Sequence, residues 1–528
     1  MGVLNRRIGA ARRARWATVC VAALAAFVAL AIGPRAAEGQ DGEREPLHLV
    51  LLHTNDVHGQ ALPRRATWIE DRELWVGGIE RAAAYIEQVR RREGADRVLL
   101  VDGGDWFQGT PEGRVRGGRE FTKLLARLDY DAMAVGNHEF DLGLEPLLAL
   151  LLETEVPSVC ANLYEEGGAE RVGWVHPYRV VERAGLRIAF VGLIAPSTPD
   201  ITHEDARRLV FTDPVAEFAK VVDELPDGVD LVVPLTHNGL YLDRELAAAY
   251  PELPLVVGGH SHTYLAKGVL VGDTRIVQAG DKCTVVGRVD LYLDPVTKRV
   301  ERTTSRLVDL DREADPEFVD PALSAAVAEL VAETDAVMSV VVGHLDASPP
   351  PLMPFESGAL GNWIADAMRR FTRADVALHN RGGIRSSLAA GPITRRDLFQ
   401  VCPFGNTVVS FELTGAELEA CLRESLEGRS TVRIEISGAE AVVRHVGAEE
   451  RPLHLVEVRV GGEPIDPDRR YRMATNSFLA TGGDRIFGLE RELDALDSGV
   501  LINDLLEQQF PDTGGLVLPT DNRFPRAE

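Results

Sequence analysis

Six short apolar runs in the first half of this 528-residue chain each stop in a polar loop. Leu47–Leu52 runs into HTNDVHGQ, Arg97–Val101 into DGGDWFQG and Asp131–Val135 into GNHEFD. Ile188–Ile194 is followed by APST, Leu231–Leu235 by THNG and Leu255–Val257 by GGHSHT. Helical patterns lie between several of them, at Gly78–Arg91 and Glu120–Leu128 for example. Strand, polar loop and helix in repetition predict an α/β layered domain with its chemistry at the strand C-termini.

Five of these loops carry the side chains that bind divalent cations. They offer Asp56 and His58, Asp105, Asn137 and His138, His237, and His260 and His262. On an extended chain residues two apart point the same way, so Asp56 and His58 can reach one ion together. A lone Asp-x-His triplet is usually a solvated loop, and GNHE, THNG and GHSH each have an equally plain reading as turn, cap or core. Five such loops at strand ends in one domain form a set. Carboxylate, imidazole and amide oxygen without thiolate suit Mn, Zn, Fe or Co. Eight candidates exceed the four ligands of a single structural zinc. They suffice for two ions sharing a carboxylate, with one residue left over for catalysis.

A chain of this length exceeds one core, so two domains are expected. The formal net charge of −24 argues against a nucleic-acid polymer as partner, while a local metal site still admits a small anion. Arg6, Arg7, Arg12, Arg13 and Arg15 precede an uncharged apolar run, Ala17–Gly33, and Ala36-Ala37. That layout predicts a cleaved export signal over residues 1–37, the alternative being an N-terminal anchor. Residues 38–46 read as a flexible leader. Cys20 falls in the signal; Cys160, Cys283, Cys402 and Cys421 could form disulfides in three pairings or stay free, and no C-x-x-C suggests thiolate zinc.

A first domain over 47–315 is followed by a connecting helix over 316–340, with Leu323, Val327, Leu330 and Val331 at helical spacing. A second domain, 341–528, carries LGNWIADAM, HNRGGIRSSL, PFGNTVV and NSFLATGGDRI. The ordered set DVHG, GDWFQG, GNHEFD, THNG and GHSH resembles the calcineurin-like metallophosphoesterases. GGIR, PFGN and NSFLATGGD resemble the C-terminal domain of 5′-nucleotidases. The resemblance implies an N-terminal four-layer metallophosphoesterase β-sandwich flanked by helices, a linker helix, and a C-terminal α+β substrate-binding domain.

It also implies roles. Asp56, His58, Asp105 and His262 would hold one ion, and Asp105, Asn137, His237 and His260 the other, with Asp105 bridging. Some nucleotidases carry Gln or Asn where this chain has His262. His138 would stabilise the transition state or protonate the leaving group, oriented by Asp141. Phe404 and Phe478 would sandwich the base, Asn406 touch its edge and Asp484 the ribose. Asn380 and Arg385 would face sugar and phosphate, with Gly382 and Gly383 allowing close approach. One departure stands out: the family's further phosphate arginines should precede Glu356-Ser357, where this chain reads Pro350 to Phe355 with no Arg. Arg381 is the sequence's candidate to replace them, and otherwise a solvated side chain.

The resulting expectation is an exported (periplasmic, surface or secreted) phosphohydrolase with two divalent ions that releases phosphate from nucleoside 5′-monophosphates. UDP-sugars and 2′,3′-cyclic nucleotides are further candidate substrates. The rivals are a thiosulfohydrolase of sulfur oxidation and a catalytically silent surface nucleotide-binding protein.

Overall fold

A computed structural model describes residues 45–66, 74–445, 453–487, 493 and 495–527. The expected export signal, Cys20 and residues 38–44 of the leader lie outside the described residues. Among those described, no helix is long and apolar enough to cross a membrane.

From Leu47 onward the first half is built on two six-stranded sheets. The first runs, edge to edge, Val300–Asp309, Val285–Leu293, Leu47–Thr54, Val98–Asp102, Ala132–Ala134 and Ser158–Val159. The second runs Val269–Val271, Thr274–Val277, Leu255–Val257, Leu231–His237, Leu186–Ile194 and Tyr178–Arg183. Alternation along each strand gives both sheets two apolar faces. Leu49, Leu51, Leu99 and Val101 meet Phe190, Val233, Leu235 and Val257 in a dry layer between the sheets. The opposite faces, Val50, Leu52 and Leu100 on one side and Val191 and Val256 on the other, are covered by helices. The expected four-layer α/β arrangement is therefore present.

Strands Leu47–Thr54, Val98–Asp102 and Ala132–Ala134 are mutually parallel, as are Leu186–Ile194, Leu231–His237 and Leu255–Val257. Their C-terminal ends present the metal-type loops together. Several boundaries differ from those the hydropathy predicts. Leu47–Thr54 and Leu231–His237 each run two residues further, which puts His237 on a strand rather than in a loop. The strand expected from Arg97 starts at Val98, because Ala95–Arg97 forms a 3₁₀ turn. The connecting helix is Pro321–Met338, started by the Asp320 side chain accepting from Ala322 N, with a separate short turn at Pro316–Phe318. Its apolar face, Leu323, Val327 and Leu330, packs into the helix layer of the first sheet.

The second half centres on a five-stranded mixed sheet in the order Ile434–Ser437, Val376–Asn380, Arg470–Asn476, Thr407–Thr414 and Leu496–Leu501. Helix Ala359–Thr372 contributes to a core on one side and Gly415–Leu426 to a core on the other. The α+β expectation is met. The four described cysteines are buried and unpaired.

Phe190 is fully buried between the sheets. Phe190→Ala is expected to cost about 3–5 kcal/mol, the usual loss for a large ring in a close-packed core, read as a lower denaturant midpoint with an unchanged slope.

Candidate metal centre and nucleotide groove

Extended chain would be enough to bring Asp56 and His58 to one ion. They do converge, by another route. The strand stops at Thr54, and both residues adopt left-handed backbone with φ near 50°. Asp105, His260 and His262 are left-handed as well. Asp, Asn and His tolerate this region better than other side-chain-bearing residues, and such strain gathers at functional sites.

The donors form two adjoining groups. Asp56, His58, Asp105 and His262 each place one donor atom within 4.8 Å of all the others. His262 Nε2 lies 3.2 Å from Asp56 Oδ1 and 3.0 Å from His58 Nε2. On the other side Asn137 Oδ1 lies 3.1 Å from His237 Nε2 and 2.9 Å from His260 Nδ1. Asp105 Oδ2 joins the groups, 3.1 Å from His237 Nε2 and 3.9 Å from His58 Nε2.

The surrounding hydrogen bonds leave lone pairs where a cation needs them. His58 Nδ1 is 2.8 Å from the Gln108 carbonyl and His237 Nδ1 is 2.7 Å from that of Gly103. A ring that donates through Nδ1 turns a bare Nε2 inward. Nε2 atoms of two rings 3.0 Å apart, both beside carboxylates, make an arrangement that a divalent cation satisfies. Against its burial, the imidazoles of His237, His138 and His58 hold the Asp105 carboxyl well below its ordinary range. The donor set fits first-row divalent ions.

Backbone supports hold the ligands in place. Asp56 N donates to Gly104 O and His58 N to Asp105 O, so two ligand loops are joined directly. Glu139 accepts from the amides of Gly136, Asp105 and Trp106 at 2.7, 3.0 and 2.7 Å. Burial and Asp105 push its carboxyl up to about 8, while amide hydrogen bonds pull the other way. A Cβ at Gly136 would stand 2.2 Å from Asp105 Oδ1, so only glycine lets the GNHE turn approach this carboxylate.

His138 stands beside the donors without joining them. Its Nδ1 is 2.6 Å from Asp141 Oδ2, and its Nε2 is 3.9 Å from Asp105 Oδ2. Burial would lower its pKa, yet Asp141 and Asp105 outweigh this and raise it. Thr202 Oγ1 donates to the other Asp141 oxygen at 2.9 Å.

A cavity of about 870 Å³ opens from these groups into the second half. Asn380, Gly382, Gly383, Arg385, Phe404, Asn406, Phe478 and Asp484 all line it, together with Asp105 and His138. Phe404 stacks on His138 with ring centres 5.3 Å apart. Arg385 Nη2 lies 3.2 Å from His58 Nε2, so its charge stands at the donor cluster. Asn380 Nδ2 donates to Asp484 Oδ2 at 2.8 Å, and Asn406 Oδ1 accepts from Ser477 Oγ at 3.3 Å.

Arg381 departs from both of the roles its sequence position suggests. Neither solvated nor among the residues that line the cavity, its guanidinium pairs with the buried Glu435 at 2.8 Å and caps the Glu356 carbonyl. The loop turns it away because Arg381 N is held by Arg433 O. Arg429 and Arg433 line the cavity instead; no motif signalled them. Glu139 and Gln108 lie inside GNHEFD and GDWFQG without standing out there, and Thr202 carries no local signal at all.

Two family models match the chain. Calcineurin-like phosphoesterase matches residues 49–264, and the 5′-nucleotidase C-terminal domain matches residues 341–490. Fold and site thus define a metal-dependent phosphoric ester hydrolase. The chain is 30% identical over 510 residues to a 5′-nucleotidase of Vibrio cholerae, covering 87% of this chain and 90% of that one. The crystal structure of a 5′-nucleotidase precursor from Thermus thermophilus superposes with a TM-score of 0.80 at 30% identity, over 91% of this chain and 99% of that one. The chain belongs to the 5′-nucleotidase family. The sulfate thiohydrolase SoxB of Thermus thermophilus shares the fold, with a TM-score of 0.75 at 18% identity over 94% of this chain and 98% of that one.

Arg381→Ala leaves Glu435 buried without its cation, a change worth on the order of 3 kcal/mol. We expect a drop in urea midpoint with KM for nucleotides close to the parent value.

Proposed function

We propose that this protein is an exported hydrolase that releases phosphate from nucleoside 5′-monophosphates. The observation that carries this reading is a single cavity lined by the donor cluster at one end and by Phe404, Phe478 and Asp484 further along. A phosphoryl group at the donors would leave its nucleoside lying along that groove. In this reading the chain comprises an export signal over 1–37, a leader over 38–46, a metallophosphoesterase domain over 47–315, a linker over 316–340 and a substrate domain over 341–528. UDP-sugars and 2′,3′-cyclic nucleotides, sharing the base and a phosphoryl group, are the further substrates to assay.

Asp56, His58, Asp105 and His262 would hold one divalent ion, and Asp105, Asn137, His237 and His260 the second, drawn from Mn, Zn, Co and Fe. Such ions supply Lewis-acid polarisation of the phosphoryl group and a water acidic enough to attack it. The protein's own groups do the rest. Arg385 meets the phosphoryl oxygens with a guanidinium fixed beside the ligands, orienting the ester for in-line displacement. His138, kept cationic through Nδ1 by Asp141, presents Nε2 toward the departing nucleoside oxygen and donates its proton there. Thr202 holds Asp141 so that the imidazole keeps its orientation. Phe404 and Phe478 stack on the base, a contact worth about 1–3 kcal/mol that tolerates different bases, and Asp484 accepts from the ribose hydroxyls.

Chelation is expected to abolish hydrolysis, and Asp105→Asn to leave only residual activity even with metal resupplied, measured as phosphate release from a panel of nucleotides. Activity in metal-free protein would overturn the mechanism; sulfate release from a thiosulfonate with no phosphate release from nucleotides would favour the sulfur-oxidation rival. For His138→Ala we expect kcat to fall about 10²–10⁴-fold with bound metal unchanged by elemental analysis. A lost metal equivalent would make His138 a ligand instead.

A further inference from the structure

Among the contacts between the two halves, one carbonyl takes two donors. Pro403 O, the residue before Phe404, accepts from Gln108 Nε2 and from Arg114 Nη1, each at 3.0 Å. Both donors come from the metal-bearing half. Gln108 is fully buried, and its own carbonyl is the one that receives His58 Nδ1. One residue therefore orients a ligand imidazole with its backbone and holds the base-stacking loop with its side chain.

Arg114 ends the short helix Pro111–Arg114, whose first turn is capped by Thr110. The same Thr110 hydroxyl donates to the Gly59 carbonyl, next to His58. The arginine thus starts from the wall of the donor cluster. Its guanidinium lies under the loop: a Cβ at Gly405 would stand 3.1 Å from Arg114 Nη1, on backbone with φ +71°. Glycine at 405 lets the loop rest on the charge. Phe404 above it has one face on His138, tilted by only 14°.

We infer that Arg114, with Gln108, is a positioning residue that transmits the geometry of the metal centre to the base clamp, acting through Phe404. The inference rests on the nucleotide reading of the cavity. With Pro403 O pinned, Phe404 can cover His138 with one face and leave the other for the base. The distance between scissile phosphorus and base slot is then set by the metal-bearing half, not by the second half alone. Released from these donors, the loop can shift, and base and imidazole lose their common register. An ester with no base and a good leaving group needs neither.

Nucleoside 5′-monophosphates and 4-nitrophenyl phosphate separate the two demands. The proteins to compare are the metal-loaded full chain and its Arg114→Ala, Arg114→Lys, Phe404→Ala and Arg114→Ala/Phe404→Ala variants. Arg114→Ala is expected to raise KM for the nucleotide about ten-fold, the scale of a charge-assisted hydrogen bond. It should change kcat/KM for the aryl ester less than about two-fold, and Arg114→Lys should recover part of the nucleotide KM. In the Phe404→Ala background, Arg114→Ala should add less than about two-fold, since groups acting through one another are not additive. Equal losses on both esters, or full additivity with Phe404→Ala, would make Arg114 a general structural residue and overturn the inference. A working nucleotidase indifferent to Arg114→Ala would overturn it while sparing the nucleotide reading. A parent enzyme active on the aryl ester and on no nucleotide would overturn both.

Discussion

Left-handed backbone at the donor residues is the constraint that the rest of the molecule supports. Asp56, His58, Asp105, His260 and His262 all hold positive φ, and each such residue costs about 1–2 kcal/mol. The cost persists because neighbouring structure over-determines the loops. The 56–59 and 104–106 segments hydrogen-bond to one another. Asn55 donates to Asp56 Oδ2 and to Gly280 O and accepts from Ala279 N, which fastens the first sheet's loop to the second sheet. Glu139 gathers three amides around Asp105, the carboxylate that adjoins both donor groups. The two buried sheets make that over-determination rigid, because side chains interdigitated on both faces leave the strand ends little freedom.

The charge pattern arises from the same convergence. The chain carries a net charge of −24, yet the mouth of the donor cluster is faced by Arg385 and by the His138 imidazole, whose pKa Asp141 and Asp105 raise against its burial. Local cations in a partly enclosed groove act at short range and low dielectric, where the distant surface charge is screened. An acidic protein and an anionic substrate are therefore compatible. The contribution of the second half is shape and cation placement: Arg385 reaches across to His58, and Phe404 reaches across to His138.

Arg381 and Arg385 show how little spacing says about roles within one loop. Four residues apart in HNRGGIR, one pairs with a buried carboxylate on the neighbouring strand and the other faces the donors. A hydrogen bond from Arg381 N to Arg433 O fixes the first residue of the loop to the sheet edge, and the 3₁₀ turn Arg381–Gly383 redirects the chain before Arg385.

Much of the fold was legible from the apolar runs, because burial on both faces makes parallel strands continuous and hydrophobic. Their order, the polar loops behind them and the ligand types in those loops can be read from composition and period alone. Strand ends were less legible: Thr54 and His237 are polar, and hydropathy stops before hydrogen bonding does. The direction in which each donor points was not legible, since it depends on left-handed turns stabilised by contacts from Gly104, Asp105 and Glu139. The sequence by itself determined the chemistry available, carboxylate, imidazole and amide without thiolate, and the layered frame that carries it. Only the tertiary structure decided which arginine faces the donor cluster and which groups hold the Pro403 carbonyl beside Phe404, because Glu435, Arg114 and Pro403 meet their partners from far along the chain.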